Sequence, residues 1–221
     1  MPSYPLLGLG DTRDRGGNVR GSHTTHDEII LGIDEAGRGP LAGPLVVAGV
    51  VLKEPLKGLN DSKKLSAQKR ETLYELIITH SHYHIAVIDH TLIDEHGLSY
   101  ALRQGIAEVL KALPGYKTIM DGNSRFGFAN LIPIVKADAS IPEVSAASIL
   151  AKVTRDRWMD QQAVHYPHYN FLAHKGYGTQ QHREEIARYG LSPIHRKSFR
   201  LKTPVASLFD DVFSVSNPVA P

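Results

Sequence analysis

A single α/β domain followed by a helical segment is the fold class predicted by three observations. Short apolar runs rich in β-branched residues or alternating in polarity recur between longer stretches of helical periodicity. The 221 residues carry no internal repeat and no second composition regime. At this length roughly 70% of the unfolded surface can be buried, so the core needs no covalent staple.

Taken in order, Glu28 to Asp34 reads as a strand ending in carboxylates, with Gly37-Arg38-Gly39 as a turn just beyond. Pro44 to Leu52 is a strand expected to be buried on both faces, because its apolar run is continuous rather than alternating. Gly49 within it marks a bulge or a close contact. Asn60 to Leu65 is a polar loop, after which Ser66 N-caps a helix to about Thr79 with Leu73, Leu76 and Ile77 on one face. Tyr83 to Asp89 alternates and forms a third strand. Thr91 to Leu113 carries the clearest stripe (Leu98, Leu102, Ile106, Val109, Leu110, Leu113) and is expected as one helix, stopped by Pro114-Gly115. Lys117 to Asp121 and Leu131 to Val135 are short strands. Ser140-Ile141-Pro142-Glu143 has the S-x-x-E pattern of a capping box and opens a long helix to about His165. Small residues in it (Ala146, Ala147, Ser148, Ala151) permit close packing. Thr179 to Tyr189 is a further helix stopped by Gly190, and Val205 to Phe213 a weak one. Residues 1–27 read as a disordered arm, 28–201 as the folded domain with its C-terminal helices, and 202–221 as a weakly structured tail.

Composition excludes several classes. There is no cysteine, hence no disulfide, thiolate metal site or cysteine nucleophile, and the expected compartment is the cytoplasm. The longest strongly apolar run, Leu45 to Leu52, is far short of the roughly 20 residues that span a membrane. A formal net charge of +2 permits a nucleic-acid partner without requiring one. His80, His82 and His84 stand at strand spacing but lack complementary metal ligands. His165, His168, His174 and His182 read as helix and loop surface, and Trp158, Tyr166, Tyr169 and Phe171 as core.

The carboxylates carry the chemistry. Asp34 and Glu35 end the first strand, Asp121 ends the fourth, and Asp138 follows the fifth. If those strands are neighbours, four carboxylates converge. Like charges that close raise each other's pKa unless cations neutralise them. All-oxygen ligation suits Mg²⁺ or Mn²⁺, and two such ions can activate water and stabilise a leaving oxygen. Spacing alone equally allows four unrelated surface acids. Asp34 and Glu35 also pose a geometric problem: consecutive strand residues face opposite sides, so the strand is expected to end or bulge there.

Six motifs stand in order: Gly32-Ile33-Asp34-Glu35-Ala36-Gly37-Arg38-Gly39-Pro40, Asn60-Asp61-Ser62-Lys63-Lys64-Leu65, Asp121-Gly122-Asn123, Lys136-Ala137-Asp138-Ala139-Ser140, Ser145 to Val153, and His174-Lys175-Gly176-Tyr177-Gly178-Thr179. With these, the chain resembles the bacterial type 2 ribonucleases H, the ribonuclease HII family, from about Ile29 to Leu201. It departs at Ala137, where the family pattern has glycine. The resemblance implies a ribonuclease H-like fold, a five-stranded mixed sheet flanked by helices. It implies endonucleolytic cleavage of RNA in RNA–DNA hybrids, incision 5′ of single ribonucleotides in duplex DNA, and 5′-phosphate products. It maps the metal-binding and catalytic quartet onto Asp34, Glu35, Asp121 and Asp138. Substrate contacts map onto Gly37, Arg38, Gly39 and Tyr177, with Lys63, Lys64, Ser148, Lys152 and Lys175 beside them. Arg196 and Lys197 are read as part of the same phosphate track. The protein is expected to be a monomer, with a weak replication-clamp contact through the C-terminal tail.

Overall fold

The computed structural model describes residues 29–59 and 65–199. The expected N-terminal arm, the weak helix near Val205, and Lys63 and Lys64 lie outside the described residues.

A five-stranded sheet organises the chain. Strands β1 (Ile30–Ala36), β2 (Leu45–Leu52), β3 (Ser81–Ile88), β4 (Lys117–Asp121) and β5 (Leu131–Ile134) stand in the order β3-β2-β1-β4-β5. The first three form an antiparallel meander, while β4 and β5 run parallel to β1. The sheet is therefore mixed, with β1 at its centre.

Helices α1 (Ala67–His80) and α4 (Pro142–His165) cover one face, and α2 (His90–His96) and α3 (Leu98–Ala112) lie toward the other. The continuous apolar run of β2 follows from that double cover. Leu45, Val47 and Val51 join the α3-side core, and Val46, Ala48 and Val50 the α4-side core. Gly49 marks close packing and not a bulge: its register is unbroken on both sides, and a Cβ there would lie 2.3 Å from Val109 Cγ1. Gly32 does the same for α4, since its Cβ would fall 2.2 Å from the Glu143 carbonyl carbon. Strand and helix backbones touch there, which brings the first turns of α4 down over the end of β1.

Several expectations need correction. The stripe from Thr91 to Leu113 is two helices, broken at Gly97, whose φ of 84° interrupts the hydrogen-bond ladder while Leu98 continues the apolar face. On α1, Tyr74 is buried and Leu76 exposed, although Ser66 caps as expected by accepting from Lys69 N. The capping box at Ser140 does not form. Ser140 N and Ile141 N both donate to Ala137 O, closing a one-turn 3₁₀ helix (Ala137–Ala139), and α4 starts from Ile141 with Pro142 in its first turn. The chain gives up a side-chain cap and gains a turn that presents Asp138. The short helix α5 (Phe171–His174) has no counterpart in the periodicity; α6 (Gln180–Tyr189) does, with Thr179 as its cap.

Candidate active site

Parallel pairing of β1 with β4 sets Ile33 beside Met120. One residue further, Asp34 stands abreast of Asp121. Both side chains face α4, as do Gly32 and Ile119 on the same strands. Asp121 accepts a hydrogen bond from Ala137 N at 2.9 Å, which ties the 3₁₀ turn to the end of β4 and brings Asp138 inward. Carboxylate oxygens of Asp34, Asp121 and Asp138 lie within 4.8 Å of one another. Alanine at 137 suits this turn. Its methyl is buried with Ile119 and Val144, and the left-handed conformation falls on Lys136, at φ 61°, not on residue 137.

Glu35 solves the strand-parity problem in an unexpected way. β1 neither ends nor bulges at Asp34; its pairing to β2 is regular through Ala36. Glu35 therefore projects to the α3 side, like Leu31 and Ile33. However, β4 stops at Asp121, so Glu35 lies past the end of its neighbour, where the sheet no longer separates the two faces. It is outside the aspartate triad but lines the same cavity. Arg38 Nη1 donates to Glu35 Oε1 at 3.2 Å, while Oε2 is buried without a hydrogen-bond partner.

The cavity has a volume of about 490 Å³. Besides Asp34, Glu35 and Asp121 it is lined by Gly37, Arg38, Gly39, Arg70, Ser148, Lys152 and Tyr177. Ser148, on α4, hydrogen-bonds Asp34, and Glu35 N donates to Asp34 Oδ1 at 2.8 Å. Even so, burial pushes the Asp34 carboxyl up to about 8, with the neighbouring Glu35 charge adding to the rise. Burial raises Glu35 as well, opposed by Arg38. A cluster of acids with an unpartnered buried oxygen and a carboxyl this reluctant to ionise lacks positive charge. Carboxylates alone, close together beside an open cavity, match the donor set of a hard divalent cation.

Sequence reasoning and structure differ on the cations. Lys152 pairs with Asp156 at 2.7 Å and lies 5.7 Å from the Tyr177 ring centre. Lys175 pairs with Asp160 and does not line the cavity. Arg196 is not on a phosphate track. It is 2% exposed and donates to the carbonyls of Gly43, Pro44 and Arg38. His174 and His182 are buried, not surface. Arg70, missed in the sequence, reaches the cavity from the first turns of α1; one basic residue on a polar helix face carries no signal of its own. The two glycines differ. Gly37 (φ 101°) has its side-chain space filled by Arg155 Nε and Pro44 O, at 2.5 and 2.6 Å from a Cβ, whereas nothing lies within 4 Å at Gly39. Gly37 serves packing, and Gly39 leaves the cavity open.

An acidic triad at the end of the central strands, beside a cleft rimmed by basic groups, fits a metal-dependent phosphodiester hydrolase. Comparison with known proteins makes the class specific. Residues 31–202 match the family model described as Ribonuclease HII. A Ribonuclease HII of Sulfurovum sp. is 54% identical over 173 residues, covering 78% of this chain and 92% of that protein. The ribonuclease HII in the PCNA:RNase HII complex of Archaeoglobus fulgidus has a TM-score of 0.69 at 28% identity, covering 82% of this chain and all of that one. The ribonuclease H2 of Pyrococcus horikoshii OT3 follows at 0.66 and 28%, covering 83% and 98%. The chain belongs to the ribonuclease HII family: it is a metal-dependent endoribonuclease that hydrolyses RNA in RNA–DNA hybrids. No helix among the described residues is long and apolar enough to cross a membrane.

Proposed function

We propose that the enzyme incises duplex DNA on the 5′ side of a single embedded ribonucleotide, as well as cutting longer hybrids, and leaves 5′-phosphate ends. The observation carrying this reading is that one cavity is lined by Asp34, Glu35 and Asp121 and by the Gly37–Gly39 and Tyr177 elements that can inspect one nucleotide.

Asp34, Glu35, Asp121 and Asp138 are the proposed metal-binding and catalytic residues, with Asp34 on the central strand. Two Mg²⁺ or Mn²⁺ ions, when bound, supply the charge that lowers the pKa of an attacking water and neutralises the leaving 3′-oxygen. The residues do the rest. Ser148 orients Asp34. The backbone of Gly37, Arg38 and Gly39 reads the 2′-hydroxyl, the group that separates RNA from DNA. The half-exposed Tyr177 ring stacks on the sugar that follows it. Lys152 and Arg70 line the cavity where phosphates pass, and Lys63, Lys64 and Lys175 are further proposed phosphate contacts. The enzyme works as a cytoplasmic monomer. The PCNA complex of the Archaeoglobus fulgidus relative supports a weak contact with a replication clamp, for which the C-terminal tail is the proposed segment.

A labelled DNA duplex with one ribonucleotide, incubated with Mg²⁺ or Mn²⁺, tests the proposal. The expected product is a single nick on the 5′ side of the ribonucleotide. Cutting confined to hybrids with several ribonucleotides would overturn it.

A further inference from the structure

Three histidines lie buried behind the Tyr177 loop, in an apolar box of Met159, Tyr169, Phe171, Ile186 and Ile194. His182 and His195 are wholly buried, His174 nearly so. The rings of His174 and His182 stack at 4.1 Å, and His182 Nε2 meets His195 Nε2 at 3.0 Å. The hydrolytic chemistry uses none of them.

Backbone groups at both ends decide where the protons sit. Ser192 N–H can only donate, and it donates to His195 Nδ1 at 2.8 Å. A neutral His195 therefore carries its proton on Nε2 and gives it to His182 Nε2. His182 must then carry its own proton on Nδ1, which donates to the Tyr177 carbonyl at 3.0 Å. Gly176 N–H likewise donates to His174 Nδ1 at 3.2 Å, so His174 points a protonated Nε2 at Glu185 Oε2, 2.9 Å away. Each ring has one assignable tautomer, and the chain from Ser192 to Tyr177 runs in one direction. Reversing any member sets donor against donor or acceptor against acceptor.

We propose that His182 and His195 are positioning residues for substrate recognition: their hydrogen-bond chain fixes the Tyr177 loop over the cavity at the height the nucleotide requires. The backbone supports this reading. Lys175 and Gly176 both sit at positive φ (49° and 80°), and Gly176 O accepts from Leu41 N at 2.7 Å, beside the 37–39 turn. Tyr177 N donates to His174 O and Thr179 N to Tyr177 O, both at 2.8 Å, and His182 Nδ1 is a second donor to that carbonyl, so Tyr177 is held through its backbone while its ring stays partly exposed. His195 lies two links from the cavity and touches no substrate, so its influence passes through Tyr177. The proposal rests on Tyr177 being a substrate contact.

The test is a double-mutant cycle in the full-length enzyme on the single-ribonucleotide duplex. His195→Leu is expected to raise KM about tenfold, the worth of one well-made hydrogen bond, and to lower kcat by less. His195→Gln, which keeps a donor at the Nε2 position, should recover most of that loss. Tyr177→Ala combined with His195→Leu should be no worse than Tyr177→Ala alone. Additive losses would overturn the proposal and leave the role of Tyr177 standing. A Tyr177→Ala enzyme with wild-type kinetics would overturn both. Should the histidine variants fail to fold, ¹⁵N-histidine spectra of the wild-type protein decide: His182 must show the Nδ1-protonated tautomer, the minor form in water, and an Nε2-protonated His182 would end the argument.

Discussion

Asp34→Asn removes a carboxyl whose ionisation burial and Glu35 make costly. The folded carboxyl titrates at about 8, against 3.8 for an unperturbed aspartate. A carboxyl raised in this way contributes stability that is complete below pH 3.8 and is lost as pH climbs toward 8. Without metal, about 3 pH units of that interval are crossed between pH 4 and pH 7, or roughly 4 kcal/mol at 1.36 kcal/mol per unit. Asparagine keeps the Oδ1 that accepts from Glu35 N and leaves nothing to ionise. In EDTA at pH 7 the variant should melt higher than the wild type. At about 2–4 °C per kcal/mol for a chain of this size, the full effect corresponds to roughly 8–16 °C. Water entering the open cavity relieves part of the penalty, yet a quarter of it still raises Tm by about 2–4 °C. The assay is thermal unfolding of both proteins from pH 4 to pH 8. Taking the difference between them cancels every other titrating group. The same variant should bind a hybrid duplex and fail to cut it, and Mg²⁺ should raise its Tm less than that of the wild type. A variant that melts at or below the wild type in EDTA, or a difference that ignores pH, would refute the electrostatic account.

Gly32→Ala should cost about 1–3 kcal/mol in urea unfolding, because the new methyl meets the Glu143 backbone at 2.2 Å and only a shift of α4 relieves it. Gly37→Ala strains a left-handed residue and strikes Arg155 and Pro44, so it should lower stability by about 2 kcal/mol together with activity. Gly39→Ala, with open space around it, should leave unfolding within about 0.5 kcal/mol of wild type while slowing cleavage, and equal stability losses at 37 and 39 would contradict the packing role of Gly37. Burial holds His182 and His195 down at about 4 each, with His174 adding to the depression of both, His90 to that of His195, and Glu185 opposing it at His182. These histidines contribute stability present above pH 6.5 and lost as pH falls toward 4, so Tm should drop steeply over that interval; a flat profile would show the pair to be charged or solvated.

Elements with strong periodicity stand where the sequence places them. β2 is continuous apolar because helices cover both its faces, and α4 is long because its small residues sit on the sheet. What the sequence hides is decided at a distance. Gly97 breaks a helix whose apolar stripe passes across the break undisturbed. Ser140 satisfies a capping pattern, but its backbone is committed to the turn that carries Asp138. Arg196, His174 and His182 look like surface groups because residues of their kind usually are. The carbonyls of residues 38–44 and the Tyr177 loop draw them inside, and no local pattern announces such partners. The carboxylates are legible as candidates from their strand-end positions. That Glu35 reaches the cavity only because β4 is one residue too short to screen it is a property of the register, visible in three dimensions alone.

The parallel pairing of β1 with β4 has a consequence for how the enzyme comes into being. Asp34 and Asp121 are 87 residues apart in the chain, and β2, α1, β3, α2 and α3 must be traversed before they meet. Contacts of that separation form late, since loop closure is paid before they contribute. Asp138 joins only after β5 has docked, and Ser148 only once α4 lies across the sheet. A nascent or partly folded chain therefore has no acidic cluster to gather divalent ions and no cleft to hold a duplex. Competence to break a phosphodiester bond therefore depends on the completed sheet with α4 laid across it.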